Sequence, residues 1–290
     1  MNVINLSVFL LNIAENGLEL LETAVQTWND YYTKIVSVLT TSPETAYPGV
    51  WSAMETINEY LSVVGVALCV ICFYISLMKN TMDFRELKRP EKVFGVLLRL
   101  IISMSFITIS FDMGLQVLKI FQACITKLSS LFEISPSSGQ IASIPKEIYT
   151  LAAQSGTGEG LGVYILSLLG CIAVFLLSIM LLMIVYLRFI KIYLYAAVSP
   201  IPLAFAAGET TERTSRNFIL SYISICFQGI IIGISFIIFS KFISAGYVPN
   251  PNESAGLSVI KYIGTILVQL LVLVSVVKAS DRISKDMIGG

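Results

Sequence analysis

The sequence predicts an all-α, multi-pass transmembrane protein with five spans and a Pro-broken interfacial or re-entrant segment. Three observations predict it. The 290 residues are 56% hydrophobic and only 13% charged, about half the charge an ordinary soluble domain uses to cover its surface. Mean hydropathy is +0.81, and the apolar residues gather in runs long enough to cross hydrocarbon. Basic residues crowd the ends of those runs in an uneven way that assigns sides.

Residues 1–57 open the chain as an external amphipathic region. Its apolar stretch is broken by Asn12 and followed by Glu15, Glu19 and Glu22, without the basic start of a secretory leader. That pattern fits a helix lying on the membrane. Leu61–Met78 carries no charge and is the first span, since about 20 apolar residues cross the hydrocarbon core. Val93–Phe111 is the second, with one charge, Arg99, so residues 58–111 form a helix pair joined by a basic loop at 79–92 that holds Lys79, Arg85, Lys88, Arg89 and Lys92. Arg99 either snorkels to the near face or lines a polar interior.

Residues 112–162 read as an external helix and a flexible loop. Leu115, Leu118, Phe121, Ile125, Leu128 and Phe132 keep helical spacing. The stretches SPSSGQIASIP and SGTGEGLG that follow are turn-rich. The alternating glycines match neither a dinucleotide-binding nor a P-loop pattern.

The core, 163–290, begins with the uncharged span Val163–Leu187. Asn217–Phe239 and Leu257–Val277 complete the five, the last with Lys261 one turn in. Gly229 and Gly233 make a GxxxG packing motif in the fourth span.

The segment 189–216 decides the topology. It is apolar and long enough for a sixth span, yet it carries Lys191 and the Pro200-Ile201-Pro202 break. If it stays on the cytoplasmic side, with the N-terminus outside, twelve basic residues fall inside and five outside; if it crosses, the count is eight against nine. Five spans with a cytoplasmic C-terminus satisfy the enrichment of cytoplasmic loops in Lys and Arg. Arg188, Lys191, Tyr195 and Ser199 then share one helical face, expected to meet water or a partner. Pro200 and Pro202 are expected to end that helix and fold the chain back, with Gly208 releasing it into a polar turn. A simple proline-kinked span is the plainer alternative.

Little in the chain suggests an enzyme. It has no histidine, the commonest general base and metal ligand. Its acids lie almost wholly in loops. Cys69 and Cys72 have CxxC spacing inside an apolar span, where small packing residues explain them better than a metal or redox site. No cofactor or metal ligand set is expected.

Three stretches, Met82–Ile101, Tyr186–Glu209 and Ser215–Ile232, together resemble the TrbL-type polytopic inner-membrane subunit of type IV secretion (conjugative transfer) systems, in the form carried by mobile elements of Gram-positive bacteria. The most specific part is the arginine-containing helix that runs into Pro-Ile-Pro and a Gly-Glu turn; the resemblance covers residue 60 to the C-terminus. It implies a subunit of the mating channel in the cytoplasmic membrane, which passes single-stranded DNA with its attached relaxase. It also implies cytoplasmic ATPases and other secretion subunits as partners, within an oligomer; the positive charge of 79–92 and 188–216 adds acidic membrane lipids as an expected partner. The candidate partner or conduit contacts are Arg99, Arg188, Lys191, Glu209, Arg213 and Arg216. The competing class is a small-molecule permease, either a secondary transporter or the membrane subunit of an ABC system; a holin or inert scaffold is a third.

Overall fold

The computed structural model describes residues 3–81, 90–132, 139–154, 157–209, 211–243 and 254–289. Among these there is no strand; the chain is a succession of α-helices. In order they are α1 (Val3–Thr40), α2 (Pro43–Ala46), α3 (Pro48–Thr81), α4 (Pro90–Thr108), α5 (Ser110–Leu131), α6 (Lys146–Gln154), α7 (Thr157–Val198), α8 (Pro200–Ala204), α9 (Glu212–Ile243) and α10 (Ala255–Ile288), with a 3-10 turn at Phe205–Ala207 after α8. Four of these, α2, α3, α4 and α8, start on a proline, whose missing N–H costs nothing in a first turn and whose fixed φ is already helical.

Four helices are long and apolar enough to cross a membrane: Pro48–Met78, Gly158–Val198, Glu212–Ile243 and Ala255–Ile288. A fifth crossing exists if the bent pair Leu97–Thr108 and Ser110–Leu131 counts as one span. The protein is therefore an all-α, multi-pass membrane protein, as its composition predicts. The expected second span, Val93–Phe111, falls on α4 and the start of α5, and the chain bends by 67° between them. Neither Pro nor Gly sits there. Instead Ser105 donates its hydroxyl to Ile101 O, and Thr108 to both Met104 O and Ser105 O, each at 3.0 Å. Such back-bonding competes with the helix ladder and bends it.

The chain clusters into two compact units. Unit 1 comprises Met1–Thr40, Lys127–Val185 and Ile232–Ala279; unit 2 comprises Thr41–Thr126, Tyr186–Ile231 and Ser280–Gly290.

Unit 1 is organised around α1. Leu18, Leu21, Val25, Trp28, Tyr32, Ile35 and Leu39 recur at 3-to-4 spacing and are buried. Trp28 meets Phe239 edge-on at 5.8 Å, and Tyr32 meets Phe236 at 5.3 Å. The stripe expected to lie on the membrane is thus consumed by the protein's own core. The described half of the loop expected to be flexible, residues 139–145, has no regular secondary structure and is held by side chains. Asn29 Nδ2 donates to Ile141 O (3.0 Å) while Asn29 Oδ1 accepts from Ile141 N–H (2.9 Å). Glu22 accepts from Ile144 N–H at 2.9 Å, and Tyr262 donates to Ala142 O at 3.3 Å. Ile141 and Ile144 point into the core. Composition marks this stretch as turn-like, but side-chain amide and carboxylate groups supply the partners that a sheet would.

Candidate functional site

Unit 2 holds every charged position on which the sequence reading concentrates, and its centre is the break after α7. Pro200 has no N–H to give Ala196 O, four residues back. Two other donors take that carbonyl: Asn58 Nδ2 of α3 at 2.8 Å and Ser199 Oγ at 2.9 Å. Asn58 also reaches Ala197 O (3.4 Å) and Ser199 Oγ (3.0 Å), and it is 4% exposed. Irregular backbone at membrane depth persists only where protein satisfies it. Here Asn58 and Ser199 do so.

The chain does not fold back at the prolines. From Asn58 beside Ala196, α3 and the broken segment run on in the same direction. Gly65 lies under Pro200, where a Cβ would come within 2.8 Å of Pro200 O; a Cβ on Gly208 would sit 3.2 Å from Cys72 O; and Ser76 Oγ accepts from Glu209 N–H at 3.4 Å. Cys69, Cys72, Ile107, Leu203, Ala204 and Ala207 form the core between them. Residues 196–209 therefore pack along residues 58–76 of α3. The reversal comes at Gly208. There Thr211 donates its hydroxyl to Phe205 O (2.7 Å), and Glu212 N–H meets Gly208 O (2.9 Å) as α9 begins. The proline pair only interrupts a path whose packing against α3 continues, which is why it kinks the segment without turning it.

Arg99 of α4 closes the turn. It pairs with Glu212 and lies 3.7 Å from Glu209. The three side chains form an ion triad that ties α4 to the start of α9.

Of the face Arg188–Lys191–Tyr195–Ser199, expected to meet water or a partner, Arg188 and Ser199 are buried, whereas the Lys191 side chain is 43% exposed. Arg188 is 3% exposed. It donates through Nε to Ile225 O (3.3 Å) and through a terminal nitrogen to Cys226 O (3.4 Å), and sits 5.9 Å from the Phe189 ring. No carboxylate among the described residues pairs with it. Gly229 explains the fit, since a Cβ there would occupy the space of the guanidinium. Half of the GxxxG motif is thus a seat for a buried cation, whereas Gly233 is simply buried. Lys191 Nζ pairs with Asp281 Oδ1 of α10 at 3.0 Å, and Lys285 holds the other oxygen at 3.1 Å. Beside them Ser224 and Ser284 exchange a hydroxyl bond, and Gln228 donates to Ser280 at 3.1 Å. Tyr195 stacks on Phe218 at 5.3 Å.

Arg213 and Arg216, on the first turns of α9, are exposed, as is Glu209. Of the basic loop, Arg85, Lys88 and Arg89 lie outside the described residues, as do the side chains of Lys79 and Lys92. No group of His, Cys, Asp or Glu among the described residues could hold a metal ion.

Sequence reasoning missed Asn58 and Ser76. The available signal was a polar side chain at the edge of, or inside, an uncharged span, the same signal that singled out Arg99.

No curated protein and no solved structure matches the chain. The family described as TrbL/VirB6 plasmid conjugal transfer like protein matches residues 28–200. The match takes in α3, α4, α5 and α7 and ends on Pro200, so it begins earlier than the resemblance read from the sequence and stops before the Gly-Glu turn. Covering more than half of the sequence, it makes this chain a member of the TrbL/VirB6 plasmid conjugal transfer-like family.

Proposed function

We propose that the chain is a channel or scaffold subunit of its type IV secretion machine, without catalytic chemistry of its own, and that it supports passage of single-stranded DNA with its attached relaxase across the cytoplasmic membrane. Family membership makes it a conjugative-transfer subunit that works in a complex with other subunits. In the arrangement proposed, the N-terminus is outside and the C-terminus cytoplasmic, the protein is an oligomer, and cytoplasmic ATPases dock near the start of α9.

The observation that carries this reading is the contrast among four cations. Arg188 and Lys191 are committed to α9 and α10. Arg213 and Arg216 stand exposed where the Arg99–Glu209–Glu212 cluster fixes the helix start. Exposed arginines on a fixed scaffold suit phosphate or carboxylate groups of a partner.

The test uses mating donor cells. Formaldehyde crosslinking and pull-down of the protein should co-recover transfer-strand DNA, and deletion should abolish transfer. The R213A/R216A pair should lower transfer frequency at least tenfold while membrane levels stay normal. Unchanged transfer on deletion would reject the reading; lost transfer without recovered DNA would reduce the role to scaffold.

A further inference from the structure

Both helix breaks of unit 2, at Ile109 and at Ser199, border one cavity of about 110 Å³. Its lining is apolar: Phe106, Met113, Val117, Leu203, Phe218 and Ile219 contribute most of it, with Tyr195, Ser199 and Tyr222 around them. An apolar cavity of about 150 Å³ stays dry and accepts a molecule the size of benzene, so this one takes a short length of hydrocarbon and not water. It opens sideways. Phe106, Met113 and Ile219 on its rim are 39%, 41% and 43% exposed, on helices that face the hydrocarbon.

One polar atom in the lining lacks a partner. Ser110 is 5% exposed, and its Oγ bonds to nothing among the described residues. In α4 and α5, Ser105, Thr108 and Thr126 return their hydroxyls to the carbonyl a turn back. Ser110 does not. Next to it, Phe111 packs on Trp51 at 4.8 Å and Trp51 on Tyr193 at 6.1 Å.

We infer that this cavity is a lipid site: one acyl chain of a membrane phospholipid enters between α4, α5 and α9, and its ester carbonyl accepts the Ser110 hydroxyl. The site serves the two breaks directly, since the chain fills the space into which the bend at Ile109 and the segment after Ser199 would otherwise relax. The inference rests on membrane insertion alone and not on the DNA-conduit reading.

The test takes the full chain in nanodiscs containing phosphatidylglycerol with a diazirine near the carbonyl end of one acyl chain. Crosslinked peptides are mapped by mass spectrometry. Labelling of 106–117 and 218–223 should exceed that of the exposed α3 face (Val63, Val70, Ile71, Ile75) at least fivefold. Val117→Phe, which fills the cavity, should remove the excess and leave α3 unchanged. Ser110→Ala should lower the yield with the ester lipid but not with its ether analogue. Equal labelling of the two faces, or an excess that survives Val117→Phe, overturns the site. If Val117→Phe fails to give monodisperse protein, the Ser110→Ala comparison decides alone, and an ester yield equal to wild type overturns it.

Discussion

The Asn58 amide donates to Ala196 O at 2.8 Å, and so takes the carbonyl that Pro200 leaves without a helical donor. The relationship joins two helices whose sequences sit 138 positions apart. Asn58→Leu removes the donor and buries the carbonyl beside an apolar side chain, a change that costs about 1–3 kcal/mol. A clear drop in melting temperature in detergent is expected. Ser199→Ala should cost less, because Asn58 still serves the same carbonyl. Equal effects of the two variants would show that Asn58 is not the principal partner.

Arg188 and Gly229 give an ordering test. Gly229→Val keeps the charge but takes its space, so a guanidinium loses its carbonyls inside the bundle. Removing compensation from a buried charge costs about 3–5 kcal/mol. Arg188→Met removes the charge and fills the site with an apolar chain, and is expected to stay within about 1–2 kcal/mol of wild type, because apolar replacement of a buried ion is often mild. Thermal unfolding of both variants checks the order; a more severe Arg188→Met would mean that the cation itself acts beyond its contacts.

For Lys191 and Asp281, whose side chains are 43% and 33% exposed, solvent screening limits the gain. A double-mutant cycle with Lys191→Met and Asp281→Asn should return a coupling of about 0.2–1 kcal/mol. The coupling should shrink further in high salt. A salt-independent value of several kcal/mol would contradict the exposed geometry.

Arg99 has two carboxylates, so losing either one leaves a partner. Glu209→Gln and Glu212→Gln are each expected to reduce transfer less than tenfold, and the double variant to reduce it far more than the product of the two. Multiplicative effects in mating assays would mean that the acids act separately and that the triad does not set the start of α9.

The stretch at 139–145 offers a local readout. Asn29→Ala frees both the N–H and the carbonyl of Ile141. Hydrogen exchange at the Ile141 and Ile144 amides should accelerate strongly while α7 and α10 remain protected. Unchanged exchange would show that burial of the two isoleucines holds the stretch by itself.

The spans were legible because a period and a length suffice to find them: Leu61–Met78 and Leu257–Val277 lie within α3 and α10. Of the positions at helical spacing from Leu115 to Phe132, Leu118 and Ile125 are buried and Phe132 is exposed. What escaped was pairing at long range. No periodicity reveals that Asn58 meets Ala196, or that Lys191 finds Asp281 ninety positions on. The counting of charges treated Arg188 and Lys191 as surface markers, and nothing local told the sequence reader that α9 and α10 supply their partners. The proline break itself was visible. Its direction was not, because a proline states where a helix ladder fails and leaves the neighbouring packing to decide where the chain goes next.

The pairing of α1 with 139–145 has a consequence for synthesis. Asn29 waits for a residue 112 positions downstream, which a ribosome adding about 5–20 residues per second delivers roughly 6–20 s later. Throughout that interval Trp28, Tyr32 and the leucines of α1 have no core to enter, and the bilayer surface is the nearest apolar phase. An N-terminal helix that reads as membrane-lying in sequence and sits in a core once finished is then one helix at two ages. We hypothesise that the surface is its first residence. A nascent chain stalled before Gly139 should pellet with membranes through α1 and leave that helix open to protease, whereas the finished chain should protect it; equal protection at both lengths would defeat the idea.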